Sequence, residues 1–236
     1  MNKLSIIIPV YNEEKTIGEV LNAVSKVRLN MKKEIIIVND GSKDASEKSI
    51  KEFIKRNGKK DKNSYIYFKK ENGGKGSAVK KGIELATGGI IIIQDADMEY
   101  NPEEYEILVK PIIDGKALVV YGSRRLKKEN KKYSSISFFL GGILVTAVTN
   151  FLFFSNLTDE PTCYKVFDSK LAKSINLKGN HFEWEPEITA KILKRGIRIK
   201  EVPISYYPRS IKEGKKINWK DGVQAIWTLF YWRFKE

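Results

Sequence analysis

Hydrophobic residues in the first half of the chain come in short unbroken runs rather than in alternation. Residues 6–10 (IIIPV), 34–39 (EIIIVN), 65–69 (YIYFK), 90–95 (IIIIQD) and 117–121 (ALVVY) each read as a strand. A strand with one wet face alternates apolar and polar positions, so continuous runs predict a sheet covered on both faces, hence parallel. Helical spacing fills the intervals. Ile17, Val20, Leu21, Val24 and Val27 recur at i, i+3, i+4, i+7 and i+10, an apolar stripe along one helix. Asp44 followed by Glu47 marks the start of the next helix, and Pro102-Glu103-Glu104 the start of a later one. Strand and helix alternate through residue 125, which predicts a doubly wound α/β architecture.

After residue 125 the rhythm changes. From Tyr133 to Thr158 no side chain is charged, and the centre of that stretch is residues 136–154, ISFFLGGILVTAVTNFLFF. A bilayer span takes about 20 apolar residues, so length alone permits crossing. Wound as a helix, the run gathers Gly142, Thr146, Thr149 and Asn150 on a narrow polar stripe, with phenylalanines and leucines around the remainder. A buried core helix of a soluble protein is the alternative. A helix at 186–195, a strand at 197–207 and an aromatic helix around 219–234 follow. Trp227, Phe230, Tyr231, Trp232 and Phe234 are side chains of the kind enriched at bilayer interfaces. Residues 6–10 are too short for a signal peptide and lack a small-residue cleavage site, so none is expected. Without a repeat or linker, one domain over 1–236 is expected, built of halves 1–125 and 126–236.

Composition narrows the chemistry. With 42% hydrophobic and 31% charged residues, the chain can bury a core and is not wholesale disordered. The single cysteine, Cys163, excludes an internal disulfide. The single histidine, His181, excludes a zinc site of several imidazoles and most Ser-His or Cys-His nucleophile schemes, and it reads as structural. Carboxylates, lysine, arginine and an oxygen-liganded metal remain. Net charge is +14, unevenly spread: residues 1–120 carry 21 basic against 18 acidic side chains, residues 121–236 carry 22 against 11. A basic second half suits anionic head groups or phosphorylated substrates. No nucleic-acid motif or interleaved basic and aromatic stripe appears in the first half, which makes a nucleic-acid module the weakest reading.

The sharpest motif is Gln94-Asp95-Ala96-Asp97-Met98-Glu99, directly after four isoleucines. A hydrophobic strand running into carboxylates puts charge at the carboxyl edge of the sheet, where open α/β sheets bind ligands. If the chain stays extended, Asp95, Asp97 and Glu99 fall on one side, and three oxygen ligands suit Mg²⁺ or Mn²⁺. A polar turn capping the helix at Pro102 is the bland alternative. Pro9-Val10-Tyr11-Asn12-Glu13-Glu14 and Val38-Asn39-Asp40-Gly41-Ser42 end two other strands, offering a ring to stack on a nucleobase and a carboxylate to accept a base N–H. Asn72-Gly73-Gly74-Lys75-Gly76 lies at a helix start and could approach a phosphate through its backbone, although its spacing is not that of a Walker loop.

Together these residues resemble the nucleotide-sugar-binding half of family 2 glycosyltransferases with the GT-A fold. Gly122-Ser123-Arg124, the uncharged segment, Leu157-Thr158-Asp159 with Thr162–Phe167, residues 182–187 (FEWEPE), and Arg209 with Glu213-Gly214-Lys215-Lys216 narrow it to dolichyl-phosphate mannose and glucose synthases. The resemblance implies that Pro9, Tyr11, Glu13, Val38 and Asp40 hold the nucleoside. Asp95, Ala96 and Asp97 would hold ribose, diphosphate and metal, with Asp97 and Glu99 as ligands of Mg²⁺ or Mn²⁺. Arg124, Arg209 and Lys215 match basic residues around the diphosphate and acceptor phosphate, and with Asp97 they form the implied catalytic set. The implied partners are a nucleotide sugar of the GDP-mannose or UDP-glucose type, a polyprenyl or dolichyl phosphate, and a membrane surface, with no nucleic acid. A small transmembrane partner subunit or a homo-oligomer stays open. Inversion at the sugar carbon comes with the family.

Three departures stand out: Glu99, where mannose synthases commonly carry glutamine; Glu160-Pro161 within its motif; and an end at Glu236 where many relatives continue into transmembrane helices. A lipid phosphate, with a second pKa of about 6, is already largely dianionic and needs no general base. A spanning segment at 136–154 would separate Arg209 and Lys215 from Asp97. That segment is therefore expected to lie in one leaflet as an interfacial helix, leaving a peripheral or monotopic protein on the cytoplasmic face with both ends cytosolic. A related enzyme with a soluble sugar or protein acceptor, and a non-catalytic sugar-nucleotide-binding membrane scaffold, are the alternatives.

Overall fold

A computed structural model describes residues 3–58, 62–130, 135–209 and 218–235. Strands β1 (Lys3–Val10), β2 (Lys32–Asp40), β3 (Ser64–Lys70), β4 (Ile90–Ile93), β5 (Val119–Ser123), β6 (Lys165–Asp168) and β7 (Ile199–Pro203) form a sheet of order β3-β2-β1-β4-β6-β5-β7. All neighbours are parallel except β6, which runs antiparallel to both β4 and β5. Ile6–Ile8, Ile35–Ile37 and Ile90–Ile93 are fully buried. Since successive strand residues point to opposite faces, both faces of this sheet are covered, as the unbroken apolar runs require.

Helices α1 (Ile17–Lys26), α2 (Ser46–Asn57), α3 (Lys75–Leu85) and α4 (Tyr105–Ile113) join the strands of the first half. The apolar stripe of α1 is buried at Ile17, Val20, Leu21 and Val24. Helix α3 lies close on β1 because Gly82 has no side chain; a methyl there would collide with Ile7. Helix α2 begins at Ser46, later than the Asp44–Glu47 reading, because Asp44 closes a turn instead, accepting from Ser46 N at 3.0 Å and Glu14 N at 3.0 Å.

Three strand boundaries differ from the sequence reading. The run at 90–95 leaves the sheet after Ile93, where Gln94 turns inward to accept from the hydroxyls of Tyr105 (2.7 Å) and Tyr164 (2.8 Å). The fifth strand is shifted to Val119–Ser123. The strand at 197–207 shrinks to Ile199–Pro203 because Ser205 N and Tyr206 N leave the ladder to bind Glu104 and Asn130. β6 had no sequence signal. Its lysine, Lys165, is fully buried, its ammonium donating to the carbonyls of Glu160 at 2.6 Å and Thr162 at 3.0 Å.

In the second half, α5 (Ile136–Phe153), α6 (Ser169–Ser174), α7 (Trp184–Lys194) and α8 (Trp219–Phe234) follow. Val145, Leu152 and Phe153 of α5 pack with Ala190 of α7 and Leu229 of α8 in a cluster separate from the main core. The polar stripe of α5 faces this protein side. Thr146 Oγ1 donates to Gly142 O at 2.8 Å and accepts from Glu160 N at 3.1 Å, while Asn150 Nδ2 donates to Leu157 O at 2.8 Å. The apolar side faces out, with Phe151 79% exposed. Only 22% of this helix is buried, which is incompatible with a core helix; by length and composition it could cross a membrane. Trp219, Val223, Trp227 and Phe234 make a second exposed stripe along α8.

Candidate active site

The carboxyl ends of β1, β2 and β4 open into a cavity of about 1080 Å³ that reaches to α5 and α8. Pro9, Tyr11, Asp40 and Asn72 line one part and Asp95, Ala96, Asp97, Glu99 and Arg209 the next; Phe138, Phe139, Leu144, Trp219, Val223 and Ile226 form an apolar cleft between the two helices. The sheet edge is thus the ligand-binding edge expected of an open α/β fold.

The chain bends after Gln94 instead of continuing extended, and Asp95 parts from Asp97 and Glu99. Asp95 Oδ1 meets Lys75 Nζ at 2.8 Å, and Lys75 also reaches Glu185 Oε1 at 3.0 Å. Asp97 and Glu99 turn to Arg209, whose guanidinium reaches Asp97 Oδ2 at 2.5 Å and Glu13 Oε2 at 3.3 Å. Glu99 accepts from Tyr206 Oη at 2.9 Å and Arg209 N at 2.9 Å, which holds segment 206–209 over the strand end. Burial, with the charges of Asp95 and Glu99, pushes the Asp97 carboxyl up to about 7 against the opposing pull of Arg209. For Asp95, burial pushes up most strongly, but the charge and hydrogen bond of Lys75, with Cys163 and Arg209, together leave the group below the ordinary aspartate range.

The glycine loop does not present its backbone to a ligand. Asp40 Oδ1 accepts from Gly73 N at 3.0 Å and Lys70 Nζ at 2.6 Å, and its Oδ2 accepts from Gly74 N at 2.7 Å. The first amides of α3 are also occupied, Gly76 N by His181 O (3.1 Å) and Ser77 N by Asn180 O (2.9 Å). A phosphate cradle at this helix start is therefore excluded in this arrangement. Asp40 is an anchor of the loop that walls the cavity, and Gly74, at φ +94°, lies where any side chain would strike His181.

Of the predicted residues, Pro9, Tyr11, Glu13, Asp40, Asp95, Ala96, Asp97, Glu99, Arg124 and Arg209 come together around this cavity. Val38 does not: it is a fully buried core residue within β2. Lys215 lies outside the described residues. Arg124 lines the wall with its guanidinium clamped to Asp159, Nε to Oδ2 at 2.7 Å and Nη2 to Oδ1 at 2.7 Å. Sequence reasoning passed over Lys75, Arg125, His181 and Glu185, all in the wall. The lysine of the Gly-Gly-Lys-Gly run was a visible signal, read there for its backbone alone.

The donor set can take a divalent cation. Six carboxylates line the cavity, Glu13, Asp40, Asp95, Asp97, Glu99 and Glu185, against Lys75, Arg124, Arg125 and Arg209. Among the described residues no group of three His, Cys, Asp or Glu forms a ready-made metal cluster. This fits a cation held through Asp97 and completed by substrate phosphates, the usual manner of Mg²⁺, better than an all-protein cage. Both oxygens of Glu99 and both of Asp97 already accept hydrogen bonds from protein donors, so a cation would replace one of these contacts.

A mostly parallel sheet whose carboxyl edge opens into an acid-lined cavity is the architecture of a GT-A-like fold. The chain belongs to glycosyl transferase family 2, whose family model matches residues 5–175. It is 30% identical over 223 residues to an uncharacterised protein of Methanocaldococcus jannaschii, covering 92% of this chain and 87% of that one. A dodecaprenyl-phosphate galacturonate synthase of Rhizobium johnstonii is 23% identical over 238 residues, 99% of this chain and 68% of the relative. A dolichyl-phosphate beta-glucosyltransferase of Dictyostelium discoideum is 29% identical over 218 residues, 86% and 66%. The crystal structure of glucosyl-3-phosphoglycerate synthase from Mycobacterium tuberculosis with Mn²⁺, UDP-glucose and glycerol 3-phosphate shares the fold. Its TM-score is 0.73 at 18% identity, over 98% of this chain and 80% of that one.

Proposed function

We propose that the protein transfers a hexose from a nucleotide sugar to a polyprenyl phosphate, working as one domain on the cytoplasmic face of a membrane. The carrying observation is one cavity that joins strand-end carboxylates to an apolar cleft between two helices with exposed apolar faces. A soluble sugar acceptor has no use for such a cleft; a lipid that bears its phosphate at the end of a chain does. The names of the Rhizobium and Dictyostelium relatives support this acceptor class.

Tyr11 and the Asp40-anchored loop wall the nucleoside end, and Asp97 is the ligand of Mg²⁺ or Mn²⁺, with Glu99 beside it. The cation, when bound, neutralises charge on the departing diphosphate. Arg209 and Lys215 supply further positive charge for the phosphates. A phosphate oxygen of the acceptor bonds to the anomeric carbon while the bond from that carbon to the donor diphosphate breaks, its electron pair leaving with the nucleoside diphosphate. In-line attack inverts the anomeric centre, and no proton has to be removed.

The second reading, a soluble hydroxyl acceptor, finds support in Glu185, a carboxylate in the cavity wall that could act as base. The test offers radiolabelled GDP-mannose, UDP-glucose and UDP-N-acetylglucosamine in turn, with polyprenyl phosphate in vesicles. Label in the organic phase is the expected result with one of them; label confined to water-soluble products would sink the proposal.

A further inference from the structure

We propose that the far ends of α5 and α8 form a docking surface for anionic phospholipid, where Arg233 takes a lipid phosphate while Phe151, Phe154 and Phe234 enter the leaflet. The proposal rests on the membrane reading above and adds the charge of the lipid to it. Residues of the N-terminal halves of both helices, such as Phe138, Val145, Trp219 and Ile226, wall the cavity. The C-terminal ends meet at the other end of the pair. There the Arg233 guanidinium, in the last turn of α8, lies 5.9 Å from the ring centre of Phe153 and 5.7 Å from that of Phe154. α5 is 18 residues long, so its two ends stand about 27 Å apart. This surface is therefore separate from the cavity in which the reaction is proposed to occur.

Two features mark it. The first is apolar exposure held at a conformational cost. Phe154 caps α5 in the left-handed region, at φ 52°, a conformation that glycine or asparagine adopts more readily. Its ring is 86% exposed, beside Phe151 at 79% and Phe234 at 78%. Asn150 fixes this turn, its Oδ1 accepting from Ser155 Oγ at 2.7 Å and from Leu157 N at 2.8 Å. In water a ring so placed buries almost nothing to offset the backbone strain; among acyl chains it is removed from water. The second feature is positive charge with neutral partners. Arg233 lies against the two rings, Lys194 Nζ donates to Lys235 O at 2.5 Å, and Lys235 Nζ donates to Tyr231 Oη. Among the described residues no carboxylate closes on any of the three, whereas nearby Lys191 is paired with Glu187. Cations in a last turn also answer the helix dipole, but that role has no use for exposed phenylalanines beside them. A planar guanidinium suits phosphate oxygens, and anionic lipids give the cytoplasmic leaflet a negative surface that attracts such cations.

The experiment floats the full chain with vesicles of phosphatidylcholine alone and of phosphatidylcholine mixed with phosphatidylglycerol, without polyprenyl phosphate, and measures partition coefficients. The native protein is expected to prefer the anionic vesicles at least about tenfold. Arg233→Gln should lower that preference about fivefold, the worth of one cation at a charged surface, and leave binding to neutral vesicles unchanged. Phe154→Asn suits the left-handed turn, so it should keep or raise the melting temperature while weakening binding to both kinds of vesicle severalfold. Lys55→Gln removes an exposed charge from α2 and should change the preference less than about twofold, which separates a local surface from the net charge of the chain. If Arg233→Gln does not fold, Lys235→Gln, at an exposed side chain, takes its place. Equal losses from Lys55→Gln and Arg233→Gln, or no anionic preference in the native protein, would overturn the proposal and leave the membrane reading standing. A native dimer in lipid-free buffer that Phe154→Asn turns into a monomer would assign this end to a second copy and overturn it as well. Native protein that floats with neither vesicle would overturn the membrane reading and this proposal together.

Discussion

Asp97 is the residue on which burial and charge converge. Its carboxyl, pushed up to about 7 by burial and by Asp95 and Glu99, is about half protonated near neutral pH, where a cation would compete with the proton. Mn²⁺ binding should therefore weaken as pH falls through about 7, since metal and proton compete for one group. Calorimetric titration at pH 6 and pH 8 checks this; Asp97→Asn should bind weakly at both and lower turnover at least about a hundredfold. Equal affinity at the two pH values would contradict it. Asp159 behaves in the opposite sense. Burial pushes its carboxyl up most strongly, but the charge and hydrogen bonds of Arg124, with the Arg125 charge, together hold it below the ordinary aspartate value. Its contribution to stability is thus present above that ordinary value and is lost as pH falls through the lowered one. Asp159→Ala strands a buried guanidinium and should cost about 3–5 kcal/mol, read from denaturant melts at pH 7. The aspartates of the strand end were legible because a run of isoleucines breaks into carboxylates. The bracing role of Arg124 was not legible: its partner lies 35 residues away, and nothing local marks the pair.

The helices tell the same story at the level of elements. The apolar run of α5 and its polar stripe were both visible in the sequence, and so was the aromatic character of α8. What the pattern could not say was which side faces the protein. In a water-surrounded helix the polar stripe turns outward; here it is satisfied inward, by Glu160 N and the carbonyl of Leu157, and Ile136, Leu140 and Phe151 face away. β6 escaped notice for a related reason: a lysine in its short run reads as surface until its ammonium is seen capped by carbonyls. If the outward faces of α5 and α8 rest in a leaflet, Phe151→Asp and Trp227→Asp should abolish flotation with lipid vesicles. Both side chains are exposed, 79% and 69%, so neither change should lower the melting temperature. Undiminished flotation of both variants would remove these faces from the membrane.

For the whole molecule the proposed reaction asks how a donor from water and an acceptor from a membrane would meet. Segment 204–209, leaving β7, carries Arg209 back to Asp97, so the two halves of the chain share one site instead of lying on opposite sides of a bilayer. The alternation of strand and helix predicted the first half of that arrangement. The return of the chain was implied only by resemblance, because the contacts that fix it, such as Tyr207 N to Glu99 O at 2.9 Å, are long-range. The central claim is that a phosphate at the end of a lipid is the nucleophile. The most direct measurement gives the vesicle-bound protein labelled nucleotide sugar with either a polyprenyl phosphate or the matching polyprenol, and follows label into the lipid. The account predicts transfer to the phosphate and none to the alcohol; transfer to the alcohol with the phosphate inert would contradict it.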